Sequence, residues 1–294
     1  MIRLFLLALL TLSPAAHALT AVFYQPQLRD RALPEAQWPA LFAAVRESGA
    51  DTLVVQWTRH GDAFAAGDER AWLGRRLREA RAAGLALVLG LHADPEVFAR
   101  LAQADASLPA YFRRQQRANA RLAHDWRSEL GTEAIAGWYL PLEIDDRRWR
   151  APAARERLWR YLADESNVLG RDGLPVYASS FFAGHMAPAA YADMVAGLQS
   201  AGVRLWVQDG AGTGVLTPAM RARYLAAVGD CAAAPAAGVV FELFRQTAPD
   251  ADFAADVAAD AAARLAQRAP CGGDTLFFSL RYLPAVRGRL PIAP

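Results

Sequence analysis

Eight short apolar runs, parted by stretches of helical periodicity, restrict this sequence more than any other feature. The runs are 20–25 (TAVFYQ), 51–57 (DTLVVQW), 85–92 (LALVLGLH), 136–143 (AGWYLPLE), 175–181 (PVYASSF), 203–209 (VRLWVQD), 238–243 (GVVFEL) and 274–280 (DTLFFSL). They are rich in Val, Leu and aromatic residues and nearly continuous, as strands are when both faces of a sheet are covered. Helical patterns are expected near 34–48, 68–83, 109–130, 152–169, 188–201, 217–229 and 250–267. Gly or Pro marks many helix-to-strand junctions, where a residue tolerant of left-handed backbone ends a helix. Thr217-Pro218 reads as an N-cap followed by Pro at the first helical position. Eight strands with seven intervening helices and no linker close most simply as a (β/α)8 barrel, an α/β fold in one domain. The rival is an open doubly wound sheet, which would carry a Gly-rich turn after its first strand if it bound a nucleotide. That turn is YQPQLRDRALP here, without glycine. The long connection 93–108 is expected to form a rim loop or lid.

The barrel is expected to span 19–294. Arg3, the apolar run 4–12 and the small-x-small site Ala16-His17-Ala18 read as a secretory signal peptide over 1–18, cut after Ala18. The apolar run is too short to cross a bilayer. A monomer in the periplasm or outside the cell, with no integral membrane segment, is therefore expected. Hydrophobic residues make up 54% and charged residues 21%, a globular composition. A net charge of +2 without a basic stripe argues against nucleic acid as a partner. All 32 basic side chains are arginine, which excludes Schiff-base chemistry on a lysine and a phosphate-loop lysine. In an exported chain the two cysteines, Cys231 and Cys271, read as a disulfide.

In a barrel, chemistry sits at the C-terminal ends of the strands. Alternation places Gly137, Tyr139, Pro141 and Glu143 on one side of the fourth strand, and Gly238, Val240 and Glu242 on one side of the seventh. Both sets point inward, so Glu143 and Glu242 are expected to converge across the barrel mouth. Paired carboxylates in a cleft are what glycoside hydrolysis requires: one stays protonated for the leaving oxygen, the other is ionised. Gln25, Gln56, Trp57, His92, Tyr139, Gln208 and Asp209 are the candidate substrate contacts, with Trp57, Trp149 and Tyr139 as stacking surfaces. Asp209 is equally readable as a turn-shaping residue. Asp145 and Asp146 read as a solvated loop. The purely structural alternatives are ion pairs of Glu143 with Arg147 or Arg148, and of Glu242 with Arg245. No metal or cofactor is expected: the histidines are scattered and H-E-x-x-H is missing. G-x-S-x-G, the mark of a serine hydrolase, is missing too.

The strand-four and strand-seven glutamates resemble those of the retaining glycosidase clan of TIM barrels. More narrowly, GWYLPLEID (137–145) and WVQDGAG (206–212) resemble the bacterial DUF4434 group, a likeness that extends over most of the mature chain. The resemblance implies a (β/α)8 barrel with Glu143 as acid/base and Glu242 as nucleophile. Many clan members carry Asn directly before the strand-four Glu, where it binds the sugar 2-hydroxyl; Leu142 stands there in this chain. Two functions are therefore carried forward. The first is an exported glycoside hydrolase acting on a poly- or oligosaccharide by a retaining two-glutamate mechanism. The second is a non-catalytic carbohydrate-binding or envelope scaffold on the same barrel.

Overall fold

The computed structural model describes residues 18–103, 107–233, 235–248 and 254–292. The leader assigned from sequence falls, apart from Ala18, outside the described residues. The strands are β1 (Thr20–Tyr24), β2 (Thr52–Val55), β3 (Ala86–Gly90), β4 (Ile135–Asp145), β5 (Val176–Phe181), β6 (Arg204–Gln208), β7 (Gly238–Glu242) and β8 (Asp274–Phe278). They form a closed, all-parallel barrel in chain order, with β8 pairing back onto β1. Between them run α1 (Trp38–Glu47), α2 (Gly67–Ala82), α3 (Leu108–Leu130), α4 (Pro152–Leu169), α5 (Pro188–Gln199) and α6 (Pro218–Val228). Pro in the first turn starts five of these six helices. At α6 the expected cap is present, the Thr217 hydroxyl accepting the Met220 N–H at 3.3 Å. Among the described residues no helix is long and apolar enough to cross a membrane.

One element differs from expectation. The alanine-rich stretch read as a helix over 250–267 holds only the short helix Ala261–Arg264, and 249–253 lie outside the described residues. Before it, Phe244–Ala248 and Ala254–Val257 pair as an antiparallel ribbon. Phe244 is buried there, its ring 6.0 Å from Phe278 and 5.6 Å from Tyr282. The helix preference of alanine is worth only tenths of a kcal/mol per residue, about an order less than burying one aromatic ring. Tertiary packing therefore decides the element.

The barrel interior is aromatic. Phe23, Tyr139, Tyr177 and Trp206 fill it together with Val54, Val88, Val240 and Leu276. Tyr177 stacks on Trp206 at 4.4 Å between centroids, and Phe23 meets Trp206 edge-on at 5.9 Å. This plug is the floor beneath the mouth. A second, larger apolar layer lies between the strands and the helical shell.

Two long-range ties close the chain. Cys231 and Cys271 form a disulfide with 5.3 Å between Cα atoms, linking the segments that enter β7 and β8. Closing a loop with a sequence separation of 40 restricts the unfolded chain. Cys231→Ala/Cys271→Ala is expected to lower unfolding stability by about 2–4 kcal/mol, measured by urea titration. Above the mouth-side ends of the strands, the Asp30 carboxylate is buried against the Arg281 guanidinium at 3.0 Å and accepts the Tyr24 hydroxyl at 3.1 Å. That pair joins the exit of β1 to the exit of β8.

Candidate active site

The C-terminal ends of the strands surround a cavity of about 360 Å³. Residues at the ends of five strands, Glu143, Phe181, Gln208, Glu242 and Phe278, line it, with Gln25 and Gln56 one position past the ends of β1 and β2. The connecting segments complete the wall with, among others, Phe98, in a short helix Val97–Leu101, and Val215, which are 62% and 64% exposed. A neighbouring hollow of about 170 Å³ shares Gln56, Phe98, Glu143 and Gln208 and reaches to Trp57 and His60. Glu143 and Glu242 thus face one cavity, brought together by the inward parity of two strands 99 residues apart in register, from 143 to 242.

Glu143 owes its position to an irregularity. Strand β4 pairs Leu140 with Ala178 and then Ile144 with Ser180, so four steps on β4 match two on β5. The two extra residues preserve parity, and the irregular stretch contains Pro141, which has no N–H to lose. Trp149, fully buried, donates its indole N–H to the Glu143 carbonyl at 3.1 Å. It therefore holds the backbone under the acid and offers no stacking face to a ligand. The Asp145 carboxylate accepts the N–H groups of Arg147 and Arg148, turning the chain away from the mouth. Neither arginine neutralises Glu143, whose carboxylate has no hydrogen-bond or ion-pair partner among the described residues. Burial first, and the charge of Asp145 second, push its pKa up to about 7.

Asp146 is not solvated, contrary to the sequence expectation. It is fully buried, and its carboxylate accepts the N–H groups of Ala183, Gly184, His185 and Met186 at 2.7–3.1 Å. It thereby pins the loop after β5, which supplies Phe182 and Ala183 to the cavity wall. Consecutive N–H groups curled around an anion have no side-chain signature, so the sequence could not announce them.

Glu242 is held differently from Glu143. Its carboxylate accepts the Gly212 N–H at 2.6 Å and is further stabilised by the Thr213 N–H. Gly210 has φ of +64°, and a side chain on Gly212 would meet the Phe244 ring at 2.6 Å. The GAG turn is thus required both for the curl and for the close approach. Asp209 lies behind it, 2% exposed, with Oδ1 accepting the N–H groups of Ala211 at 3.0 Å and Glu242 at 3.2 Å. Arg221 contacts its Oδ2 at 3.3 Å and its carbonyl at 2.8 Å. Asp209 does not line the cavity and shapes the turn instead. Burial first, then the Asp209 charge, push the Glu242 pKa up to about 7, against the pull of the two N–H groups and Arg221. Arg245 is exposed and does not pair with Glu242.

The remaining candidates divide. Gln25, Gln56 and Gln208 line the main cavity. The Gln56 Oε1 is buried without a hydrogen-bond partner, an acceptor left over for a donor from the cavity. Gln208 donates to the Ser179 hydroxyl at 3.3 Å, which also contacts the Tyr139 hydroxyl at 2.7 Å. Tyr139 is 3% exposed and belongs to the floor, touching only the smaller hollow. Trp57 lines that hollow too, with its indole N–H on the Pro26 carbonyl at 3.0 Å. His92 faces away into a third hollow, its Nδ1 2.7 Å from Gln115 Oε1.

The chain is thus an α/β barrel with two carboxyl groups, both raised in pKa by burial, over one cavity at its C-terminal mouth. The chain belongs to the DUF4434 family (domain of unknown function), whose model matches residues 19–286. It is 44% identical over 296 residues to the uncharacterized protein YbcH of Escherichia coli (strain K12), with 97% of each chain covered. Its fold is similar to that of a putative alpha-L-fucosidase from Bacteroides thetaiotaomicron VPI-5482, with TM-score 0.62 and 15% identity over 95% of this chain and 91% of that one. It is also similar to the exo-beta-1,4-mannosidase Op5Man5 from Opitutaceae bacterium strain TAV5, with TM-score 0.56 and 16% identity over 92% and 53% of the two chains. The intracellular xylanase TsXylA from Thermoanaerobacterium saccharolyticum shares the fold at TM-score 0.54 and 11% identity, over 90% of this chain and 86% of that one.

Proposed function

We propose that this protein is an exported glycoside hydrolase, in the periplasm or outside the cell, that cleaves a poly- or oligosaccharide with retention at the anomeric carbon. The observation that carries the reading is the meeting of Glu143 and Glu242 over one cavity at the C-terminal mouth. Their settings divide the two roles. Both carboxyls are raised to about 7, so hydrogen bonding and not pKa separates them: Glu143, whose anion no donor supports, is the proton donor to the glycosidic oxygen. Glu242, whose anion two backbone N–H groups support and aim, attacks the anomeric carbon as the leaving group departs. Water then enters where the leaving group stood; Glu143 takes its proton, and the bond to Glu242 breaks. Gln25, Gln56 and Gln208 are proposed to bind sugar hydroxyls, and Phe181 and Phe278 to pack on C–H faces. The test is proton NMR of the first product formed from a panel of bacterial polysaccharides and aryl glycosides. The β-to-β or α-to-α outcome is expected, and inversion removes Glu242 as nucleophile.

A charge substitution behind the site gives a pH test of the same roles. In Asp209→Asn the buried negative charge that raises the Glu242 pKa is gone while the Gly212 and Thr213 N–H donors remain. The Glu242 pKa should fall, so the acid limb of the kcat/KM profile should move to lower pH. An unmoved or raised acid limb would contradict the role of Asp209 in setting that carboxylate.

One observation favours the non-catalytic scaffold. Leu142 lines the hollow beside Glu143 and has no group to hold a sugar 2-hydroxyl. Glycan binding without turnover, unchanged in Glu143→Gln, is the result that reading expects.

A further inference from the structure

The main cavity contains two carboxylates and no basic side chain among its described lining residues. A negatively charged ring at the point of cleavage would be repelled there with nothing to offset it. The cations lie next door. A hollow of about 570 Å³ is lined by Arg59, Arg100, Arg114 and Arg121, together with His92 and Gln115. Asp94 lines both this hollow and the smaller one beside Glu143, so the two adjoin.

Two of the four arginines are already committed. Arg100 pairs with Glu96 at 2.7 Å and lies 3.7 Å from Asp94. Arg59 donates to the Gly61 carbonyl at 2.8 Å and stands 3.7 Å from Asp62. Arg114 and Arg121 have no acidic partner among the described residues. They stand seven residues apart on α3, on one face with Ala118 between them. The Arg114 guanidinium is set over the Tyr111 ring at 5.9 Å, which steadies the group, and the residue is exposed to solvent. The wall behind them is built. Gln115, 8% exposed, contacts His92 Nδ1 at 2.7 Å and donates to the Tyr111 hydroxyl at 2.9 Å. Asn119 accepts the His92 N–H at 3.1 Å and donates to buried Glu165 at 2.8 Å.

We propose that this arginine-lined hollow is a subsite for an anionic substituent of a glycan, a carboxylate or sulfate on a sugar bound beside the mouth. The proposal rests on the glycan reading of the mouth, and it makes the natural substrate an acidic polysaccharide with a neutral residue at the cleavage point. An exposed planar guanidinium without an acidic partner matches a carboxylate or sulfate with two parallel hydrogen bonds.

The test is calorimetric titration of the full chain carrying Glu143→Gln, so that binding is read without turnover. The probes are oligogalacturonate, sulfated dextran and uncharged dextran. Arg114→Gln/Arg121→Gln is compared with Arg287→Gln/Arg289→Gln, a control that removes the same charge from exposed arginines outside these hollows. Glutamine keeps the helix preference of arginine, and circular dichroism verifies the fold. An acidic chain should bind about tenfold or more weakly to the α3 double variant and nearly unchanged to the control. Equal weakening in both variants, equally tight binding of uncharged dextran, or no binding of either acidic chain would overturn the subsite. Failure of hydrolysis in the unsubstituted protein would leave this result standing, because Glu143→Gln binding does not depend on turnover.

Discussion

Glu143→Gln is expected to lower kcat by about 10³-fold or more while leaving the folded barrel intact, because general acid and base assistance in both steps is withdrawn. The same substitution should raise stability at alkaline pH. The Glu143 pKa stands near 7 in the fold against an ordinary 4.5. A carboxyl group raised in this way contributes fully to stability below the unfolded value, and that contribution is lost as pH rises through the folded one. Glutamine is neutral throughout, so the variant avoids the loss. At about pH 8 it should unfold later than the parent by about 1–3 kcal/mol, and near pH 4 the two should coincide. Urea titrations at the two pH values give the answer. A variant that is inactive and no more stable at alkaline pH would show that the acid is not held against its own charge.

The second large effect lies at the tie between the first and last strands. Arg281→Met should cost about 3–5 kcal/mol of unfolding free energy at neutral pH, because it leaves Asp30 buried without its cation. Asp30 is fully buried and Arg281 3% exposed, so water cannot replace the lost partner without opening the fold. Burial already raises the Asp30 pKa despite Arg281, and removing the arginine raises it further. The deficit is therefore greatest above the folded pKa of Asp30 and shrinks as pH falls toward the unfolded carboxylate range. Chemical denaturation across that range measures it. A deficit that does not change with pH would mean that Arg281 acts through packing and not through the charge of Asp30.

What was legible in the sequence follows from what local patterns encode. The strand runs and their parity placed Glu143 and Glu242 at inward strand ends, and the cysteines before β7 and β8 paired as expected. The parity survived at Glu143 because the irregularity in β4 adds two residues; one would have turned the acid outward. The rest depends on contacts between segments distant in sequence. Asp146 reads as solvent-facing until the loop 183–186 folds over it. Trp149 reads as a stacking platform until its indole is seen beneath the Glu143 carbonyl. Asp209 sits at a strand top, yet the GAG turn and Arg221 draw its side chain behind the wall. The ribbon at 244–257 defeats an alanine-rich helical pattern because Phe244 is buried against Phe278 and Tyr282.

In the proposed reaction Glu242 forms a covalent bond to sugar carbon while Glu143 manages the proton. A panel of 2-deoxy-2-fluoroglycosyl fluorides traps such a bond, and peptide mass spectrometry after digestion locates it. One adduct is expected, on the peptide bearing Glu242 and absent from Glu242→Gln. Turnover of a glycan without any adduct on Glu242, or continued turnover by Glu242→Gln, would contradict it.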